Sequence, residues 1–402
     1  MAGMTLPDAP WRDRAGMATL LDALDAAGGQ TRFVGGAVRD TLAGRPVSDV
    51  DLATRLMPQA VVERIREAGL RAVPTGLAHG TVTVVLPDGA AVEVTTLRRD
   101  VSTDGRRATV AFSDDWREDA ARRDFTINAL YADPASGAIH DYFGGEDDLA
   151  RGLVRFIGDA RQRIAEDHLR ILRFFRFHAR YGGWAPDELA YDACAERAND
   201  LMALSRERIA DEMLKLLASD HPAPAIGLML DRAILKPVLP EIDAAGLARL
   251  RRLIGAETAA GIAGDRLRRL IALMPADGAV ADGIAARLRL SNAQRKRIAA
   301  ALGDAGDAAR PRVLAFAVGT ETAVDRLLLA GEAEAARGIM GWTPPALPVS
   351  GETMLGHGLR GVEIAQALKA IRERWSAEDF PGGDRIDAIV AEAVDQASRD
   401  RQ

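Results

Sequence analysis

The pattern of apolar and polar residues changes character along the chain. In residues 13–27, apolar side chains recur at helical spacing from Met17 to Leu24, which predicts an amphipathic helix. Residues 31–34 have the pattern of a short strand that leads into two glycines. Residues 49–54 alternate acidic and apolar side chains, which is typical of a strand with one buried face. Strands and helices therefore share the first third of the chain.

Further elements follow in the same third. Residues 57–68 are predicted to form a helix that is entered through a proline. Two strand patterns, residues 81–86 and 91–96, are joined by a Pro-Asp-Gly turn and predict a β-hairpin. Residues 98–119 are rich in charge and are predicted to be a mobile loop.

From residue 159 onward, strand patterns nearly vanish and amphipathic helices take over. Glycine and proline pairs interrupt these helices, and residues 342–351 have the composition of a linker. The sequence therefore predicts an α+β protein with a mixed amino-terminal part and a long helical remainder.

The charge is unevenly distributed. Lys and Arg number 52 against 58 Asp and Glu, a formal net charge of −6, which argues against a protein that coats nucleic acid indiscriminately. Between Arg151 and Arg180, however, eight arginines face only three acidic residues. This arginine-rich segment predicts an anionic ligand.

Length and composition set further limits. A chain of 402 residues is expected to hold two to four domains. Apolar runs are far shorter than the roughly 20 residues that span a bilayer, so no membrane segment is expected. Residues 1–11 lack the pattern of a secretory signal, and the single Cys194 excludes an intramolecular disulfide. A cytoplasmic location is expected.

The strongest candidate for chemistry joins Gly35, Gly36 and Arg39 to Asp49 and Asp51. Adjacent glycines after a strand let backbone N–H groups approach a triphosphate, and an arginine at a helix start adds positive potential. Carboxylates two residues apart on a strand point to one face and can share Mg²⁺ ions. Each motif alone is common in turns or on exposed strands, so the argument depends on their combination.

A third carboxylate usually completes a two-metal site. Glu93 lies on the second strand of the predicted hairpin and is the natural candidate, although it could equally be an exposed strand position.

Two other segments combine arginine with acid. Arg123 and Asp124 could bind the phosphate and ribose hydroxyls of one ligand, or simply form a surface ion pair at a helix start. Asp167, Arg170 and Arg173 fall three residues apart, which places them along one face of a helix. An aspartate acceptor and an arginine donor on such a face can meet the Watson–Crick edge of a base, although a salt-bridged solvent face has the same spacing.

Together these motifs resemble the class II tRNA nucleotidyltransferases, a family shared with bacterial poly(A) polymerases within the polymerase β-like superfamily. The resemblance covers most of residues 31–217. Five segments match in order: residues 33–40 with 49–51, residues 122–129, residues 141–149, residues 166–176 and residues 205–215.

The resemblance implies a nucleotidyltransferase head at 1–150 with an antiparallel-rich sheet, followed by a helical neck at 151–217, a body at 218–340 and a tail at 341–402. The neck would recognise the base, and the body and tail would bind RNA. The implied activity is addition of CMP and AMP to the tRNA 3′ end from CTP and ATP. The implied partner is the acceptor arm of tRNA, and the oligomeric state is left open.

The resemblance also implies roles for individual residues. Asp49 and Asp51 would bind Mg²⁺, and Gly36 with Arg39 would hold the triphosphate. Arg123 with Asp124 would contact the sugar and phosphate of the nucleotide. Asp167 with Arg170 would read the base, and Arg173 with Arg176 would support the incoming nucleotide. Glu207, Arg208 and Glu212 would brace the neck.

The motifs leave alternatives open both within this family and in another functional class. A poly(A) polymerase shares nearly all the motifs, but such enzymes typically append a basic tail, which residues 398–402 do not form. Enzymes that add only CC or only A differ in the behaviour of residues 98–119. A catalytically silent RNA-binding protein is disfavoured because Asp49, Asp51 and Arg39 are all present.

Overall fold

The computed structural model describes residues 5–104 and 107–399. The chain divides into two compact units, Met1–Val238 and Leu239–Gln402. The mixed sheet and the mostly helical remainder confirm the predicted α+β class. Among the described residues, no helix is long and apolar enough to cross a bilayer.

The first unit contains a seven-stranded sheet with the strand order β3-β4-β5-β2-β1-β8-β9. Its strands are β1 Thr31–Val34, β2 Val50–Thr54, β3 Arg71–Gly76, β4 Thr81–Val85, β5 Ala91–Thr96, β8 Leu130–Ala132 and β9 Ile139–Asp141. All neighbouring pairs are antiparallel except β2 and β5, which run parallel. The expected antiparallel-rich sheet is therefore confirmed, as is the hairpin of β4 and β5.

Residues 98–119 are not the loop that their charge predicts. Strands β6 (Arg98–Asp104) and β7 (Arg107–Phe112) pair antiparallel as a separate two-stranded sheet, and a helix follows at Trp116. The prediction gave too much weight to charge, because exposed strands tolerate charged side chains when their backbone groups pair. Gly105 and Arg106 lie outside the described residues.

Helices of the first unit cover the sheet and continue beyond it. They are α1 Met17–Ala23, α2 Gly36–Leu42, α3 Pro58–Glu67, α4 Trp116–Ala121, α5 Gly145–Ala150, α6 Ala160–Glu166, α7 Arg170–Tyr181, α8 Glu188–Glu196, α9 Arg206–Leu217 and α10 Pro222–Asp231. Short 3₁₀ helices lie at Leu77–His79, Thr126–Asn128 and Ala198–Ala203. Helices α1 and α3 confirm the helices predicted within residues 13–27 and 57–68.

The two faces of the sheet pack against different cores. Phe33 and Leu52 belong to a core that also contains Met17 of α1 and Ile65 of α3. Their neighbours in the strands, Val34 and Ala53, pack on the opposite face against Trp116 and Tyr131. Side chains alternate between faces along a strand, so Asp51 shares the second face with Ala53.

The regular secondary structure of the second unit is entirely helical among its described residues. Its helices are α11 Ala244–Ala260, α12 Arg266–Leu273, α13 Gly278–Arg287, α14 Asn292–Ala301, α15 Pro311–Val318, α16 Thr320–Ala330, α17 Ala333–Gly338, α18 Gly351–Gly356, α19 Val362–Ala377 and α20 Asp384–Arg399. In the predicted linker, residues 342–351, all residues up to 350 lie outside helices and strands, and Gly351 begins α18. The fourfold division into head, neck, body and tail stays a prediction.

A buried charge network joins four helices of the second unit. Asp325 of α16 is fully buried and pairs with Arg268 of α12 at 3.2 Å and with Arg297 of α14 at 2.8 Å. Arg268 also pairs with the buried Glu257 of α11 at 2.9 Å. Because an unpaired charge in this environment is costly, the network fixes how these helices pack.

Candidate active site

A cleft of about 480 Å³ opens in the first unit and is lined by residues of the sheet, α2, α7 and α9. Most predicted site residues line it: Gly35, Gly36, Arg39, Asp51, Glu93, Arg123, Asp124, Asp167, Arg170 and Arg173. Asp49 and Arg176 are not among its lining residues in the described part of the chain. Residues separated by more than 150 positions in the sequence therefore meet at one site.

Two carboxylates lie side by side on the sheet at this cleft. Asp51 of β2 is directly opposite Glu93 of the parallel strand β5, and both line the cleft. Burial, together with the nearby charges of Glu93 and Asp49, raises the pKa of Asp51 to about 6, although Arg123 opposes the shift. The part of the cleft formed by β2 and β5 thus concentrates negative charge.

Asp49 lies just before β2 and is exposed, and the hydroxyl of Ser48 donates a hydrogen bond of 2.9 Å to its Oδ2. Carboxylate oxygens are ligands that suit hard divalent cations, and Asp51 and Glu93 present two such groups to the cleft. Within the described residues, no group of three or more His, Cys, Asp or Glu side chains lies together in a way that could hold a metal ion. Water and substrate oxygens would have to supply the remaining ligands.

The paired glycines form the turn between β1 and α2. Gly35 adopts a φ of 68° and a ψ of −120°, a conformation that side-chain-bearing residues rarely adopt. A Cβ atom at Gly35 would also lie 3.2 Å from Nη1 of Arg123. The glycine is therefore needed both for the turn and for the close approach of Arg123.

Arg39 is buried, and its guanidinium is held on several sides. It donates to Oδ1 of Asp40 through Nε at 2.9 Å and to Oδ1 of Asn128 through Nη1. Its guanidinium also stacks on the rings of Tyr181 and Phe177, with centroid distances of 4.5 and 5.1 Å. These contacts fix the orientation in which Arg39 faces the cleft.

Asp40 connects α2 to the end of α7. It accepts hydrogen bonds from the hydroxyl of Tyr181 and from Nη2 of Arg180, the latter at 3.2 Å. Burial and the bond to Asp40 raise the pKa of Tyr181 to about 12, so its hydroxyl remains a donor at neutral pH. Asp40 therefore joins α2 to α7 through side-chain hydrogen bonds.

Arg123 is hydrogen-bonded by Asp119 and Tyr131, neither of which lines the cleft. Its Nη2 lies 3.3 Å from Asp119, and its Nε lies 3.3 Å from the hydroxyl of Tyr131. Burial favours the neutral form of Arg123, but the contacts with Tyr131 and Asp119 outweigh it and raise the pKa above the usual range. Arg123 is thus a permanent, oriented cation in the cleft wall.

Asp124 links the sheet region to α7. Its Oδ2 accepts from Nε of Arg173 at 2.7 Å, and its Oδ1 accepts from the amide of Asn128 at 2.9 Å. Burial opposes ionisation, but Arg173 and Asn128 lower the pKa of Asp124 to about 2. Both members of the pair line the cleft.

Asp167 does not lie on the helix that carries Arg170 and Arg173. It follows α6 in extended conformation, and α7 begins only at Arg170. The helical prediction was wrong here because the Asp167 carboxylate accepts from the backbone N–H of Leu169, which favours a turn over a continuous helix. Asp167 and Arg170 nevertheless both line the cleft.

Arg208 of α9 donates to Oδ2 of Asp167 at 2.9 Å and lines the cleft. The sequence interpretation gave Arg208 only a bracing role, whereas its position places it beside the predicted base-reading residues. Spacing could not reveal this contact, because the two residues are 41 positions apart.

Arg170 has its own partners in α6. Its Nη1 donates to Glu166 at 2.6 Å and to the carbonyl oxygen of Arg163 at 2.8 Å. Arg163 in turn donates to the carbonyl oxygens of Arg122 and Arg123, each at 2.5 Å. The segment predicted to read the base is therefore hydrogen-bonded to the segment predicted to hold the sugar.

Arg176 faces α9. It donates to Oε2 of the buried Glu212 at 2.7 Å and stacks on Phe177 at 4.4 Å. Burial lowers the pKa of Arg176 relative to its usual value. Its predicted contact with the nucleotide stays a prediction, whereas Glu212 has the expected position of a brace between helices.

Comparisons with known proteins agree with this arrangement. Residues 31–155 match the model of the poly(A) polymerase head domain, and residues 186–245 match a probable RNA and SrmB binding site of polymerase A. The mitochondrial CCA tRNA nucleotidyltransferase 1 of Mus musculus is 34% identical over 386 residues, which cover 91% of this chain and 87% of that protein. The CCA-adding enzyme of Oceanobacillus iheyensis is 40% identical over 214 residues, 53% of this chain and 52% of that protein.

Solved structures show the same fold. The CCA-adding enzyme of Bacillus stearothermophilus in complex with CTP aligns with a TM-score of 0.75 and 27% identity, covering 96% of this chain and all of that one. The Thermotoga maritima enzyme complexed with tRNA aligns with a TM-score of 0.70 at 18% identity, covering 98% and 99%, and supports the fold alone. Since the similarity extends over nearly the whole chain, this protein belongs to the class II CCA-adding and poly(A) polymerase family.

Proposed function

We infer that this protein is a CCA tRNA nucleotidyltransferase that adds CMP and AMP to the 3′ end of tRNA, using CTP and ATP and releasing pyrophosphate. One observation carries the inference: a single cleft brings the carboxylates of β2 and β5 together with the arginines and aspartates of α2, α7 and the segment after α4. Relatives named for CCA addition match nearly the full length of the chain.

Enzymes of this family are generally metal-dependent. We propose Mg²⁺ as the ion, with Asp49 and Asp51 as ligands and Glu93 beside them. When bound, such ions lower the pKa of an attacking hydroxyl and neutralise charge on the leaving group. The raised pKa of Asp51 supports this assignment, because burial and the neighbouring carboxylates of Glu93 and Asp49 both disfavour its charge, and a bound divalent cation would offset both effects.

The chain's own residues would orient the nucleotide. Arg39 and the Gly35-Gly36 turn would hold the triphosphate, because a guanidinium and exposed backbone N–H groups both donate to phosphate oxygens. Arg123 and Asp124 would contact the phosphate and the sugar. The 3′ hydroxyl of the tRNA would attack the α-phosphorus, the bond to the bridging oxygen would break, and pyrophosphate would leave with that oxygen.

Asp167 and Arg170 would select the base. A carboxylate accepts from exocyclic amino groups, which cytosine and adenine present and uracil does not. Arginine donates to ring nitrogen or carbonyl acceptors on the same edge. We add Arg208 to this proposed set, because it donates to Asp167 and lines the cleft. Arg173 and Arg176 would support the incoming nucleotide.

The helical body and tail are proposed to bind the acceptor arm of tRNA by shape and phosphate contacts. A cytoplasmic location is also proposed, although relatives include mitochondrial enzymes.

The test is incorporation of labelled CTP and ATP, separately and together with Mg²⁺, into tRNA transcripts that end before CCA, after C and after CC. Addition that stops at a complete CCA end is the expected result. CC alone or A alone would identify a partial enzyme. Long ATP-only tails on any RNA would indicate a poly(A) polymerase, the activity named in the description of the matching head domain.

A further inference from the structure

Asp119, near the end of α4, is almost completely buried, with 1% of its surface exposed. Each carboxylate oxygen accepts two hydrogen bonds. Oδ1 accepts from Nε of Arg122 at 2.8 Å and from the backbone N–H of Arg98 at 3.3 Å. Oδ2 accepts from the hydroxyl of Tyr131 at 2.7 Å and from Nη2 of Arg123 at 3.3 Å.

The three arginines at this carboxylate all line the cleft, whereas Asp119 does not. They come from different elements: Arg98 begins β6, and Arg122 and Arg123 follow α4. One buried acid thus anchors the side chains of two cleft arginines and the backbone of the third.

Long arginine side chains have many conformations, and ordering them on ligand binding costs free energy. A carboxylate that already holds the guanidinium reduces this cost, because the donors facing the cleft are oriented before the nucleotide arrives. Without its arginine partners, the buried Asp119 would be an uncompensated charge. The carboxylate therefore needs the arginines as much as the arginines need the carboxylate.

We propose that Asp119 is a positioning residue for the nucleotide triphosphate: it holds the guanidinium groups of Arg122 and Arg123, and the backbone at Arg98, in the arrangement that binds CTP and ATP without touching either. The proposal rests on the proposed function. It assigns a role to a residue outside the predicted metal-binding, base-reading and phosphate-holding sets.

The test compares wild type with Asp119→Asn. The amide retains the size of the side chain, but one of its two polar atoms becomes a donor and faces donors. We expect KM for both CTP and ATP to rise by about tenfold, equivalent to about 1.4 kcal/mol, while kcat at saturating nucleotide falls by less than about threefold. Equilibrium binding of CTP, followed without turnover, should weaken by a similar factor.

Asp325→Asn is the matched control, because Asp325 is also a buried carboxylate between two arginines but lies in the second unit. It should lower thermal stability without raising KM for CTP at saturating tRNA. If Asp119→Asn also lost only stability, or lowered kcat with KM unchanged, Asp119 would be merely structural. A lower KM would also overturn the proposal, because it would mean that Asp119 weakens the arginines by neutralising them.

Tyr131→Phe provides a second test if Asp119→Asn fails to fold. It removes one donor to Asp119 and one contact of Arg123 while retaining the ring that packs on Trp116. A rise in KM of about twofold to threefold supports the proposal, and an unchanged KM contradicts it. Failure of wild type to add CMP or AMP would refute the proposed function instead, and CTP binding by the variants would still test the role of Asp119.

Discussion

Replacing Asp124 with Asn should weaken the junction between the sheet and α7 in a pH-dependent way. Asp124 is buried and accepts from Arg173, Asn128 and the backbone of Phe125. Because folding lowers the pKa of Asp124, its ionisation stabilises the folded state. This stabilisation is fully present above the usual pKa of 3.8 and disappears as the pH falls toward 2.

The size of the effect follows from the shift. A carboxyl group whose pKa falls from 3.8 to about 2 contributes about 2 kcal/mol to the free energy of unfolding at pH 7. At pH 3 roughly half of this remains, about 1 kcal/mol, because the folded form is still mostly ionised there. Asp124→Asn should therefore be less stable than wild type by about 2 kcal/mol at pH 7 and by about half as much at pH 3.

The chain has two compact units, so a single unfolding transition is not assured. Unfolding of the first unit can be followed separately through Cys194, because it is the sole cysteine of the chain and is buried in that unit. Its brief labelling with 4,4′-dithiodipyridine, which also reacts at acidic pH, reports unfolding of that unit across a urea titration. Asp147→Asn, which removes an exposed pair with Arg151, is the control and should change stability by less than about 0.5 kcal/mol. Equal losses for Asp124→Asn at both pH values would refute the electrostatic argument.

Four other predictions concern the metal, the base and the second unit. Asp49→Ala should abolish nucleotide addition while tRNA binding in a filter assay remains, and surviving activity would contradict the metal assignment. Arg170→Ala should reduce discrimination of CTP and ATP against UTP and GTP in competition assays, because Arg170 supplies the proposed base donor. Removal of divalent ions with EDTA should stop addition, and Mg²⁺ should restore it. Asp325→Ala should lower the free energy of unfolding by about 3 kcal/mol in denaturant titrations, because Arg268 and Arg297 lose a buried partner.

The local elements of the head were predictable because their patterns are local. The alternation in residues 49–54 predicted β2, and the turn at residues 87–89 predicted the hairpin of β4 and β5. The parallel pairing of β2 with β5 was not predictable in the same way, since about 40 residues separate Asp51 from Glu93. The candidate carboxylates could be listed from the sequence, but their adjacency required the fold.

Prediction from the sequence failed in two situations: where a side chain accepts a hydrogen bond from a backbone N–H that a helix would otherwise use, and where contacting residues are far apart in the chain. Asp167 fits a helical spacing, yet its carboxylate binds the Leu169 N–H and ends the helix pattern. Asp119 lies three and four residues before Arg122 and Arg123, a spacing that suggests only ordinary helix ion pairs. Its contact with Tyr131 gives the cluster its buried character, and no local pattern signals that contact.

The packing of Arg39 against Phe177 and Tyr181 has a consequence for substrate size. The proposed triphosphate holder on α2 is joined by this stack, and by the bond between Asp40 and Tyr181, to the second half of α7. The first residue of the same helix is Arg170, which belongs to the proposed base reader. The distance between the triphosphate site and the base site would therefore be fixed by the packing of α2 on α7, which forms a rigid frame for the nucleotide. A purine and a pyrimidine differ in the distance from sugar to Watson–Crick edge, so accepting both CTP and ATP would require side chains within the frame to adjust while the frame itself stays constant.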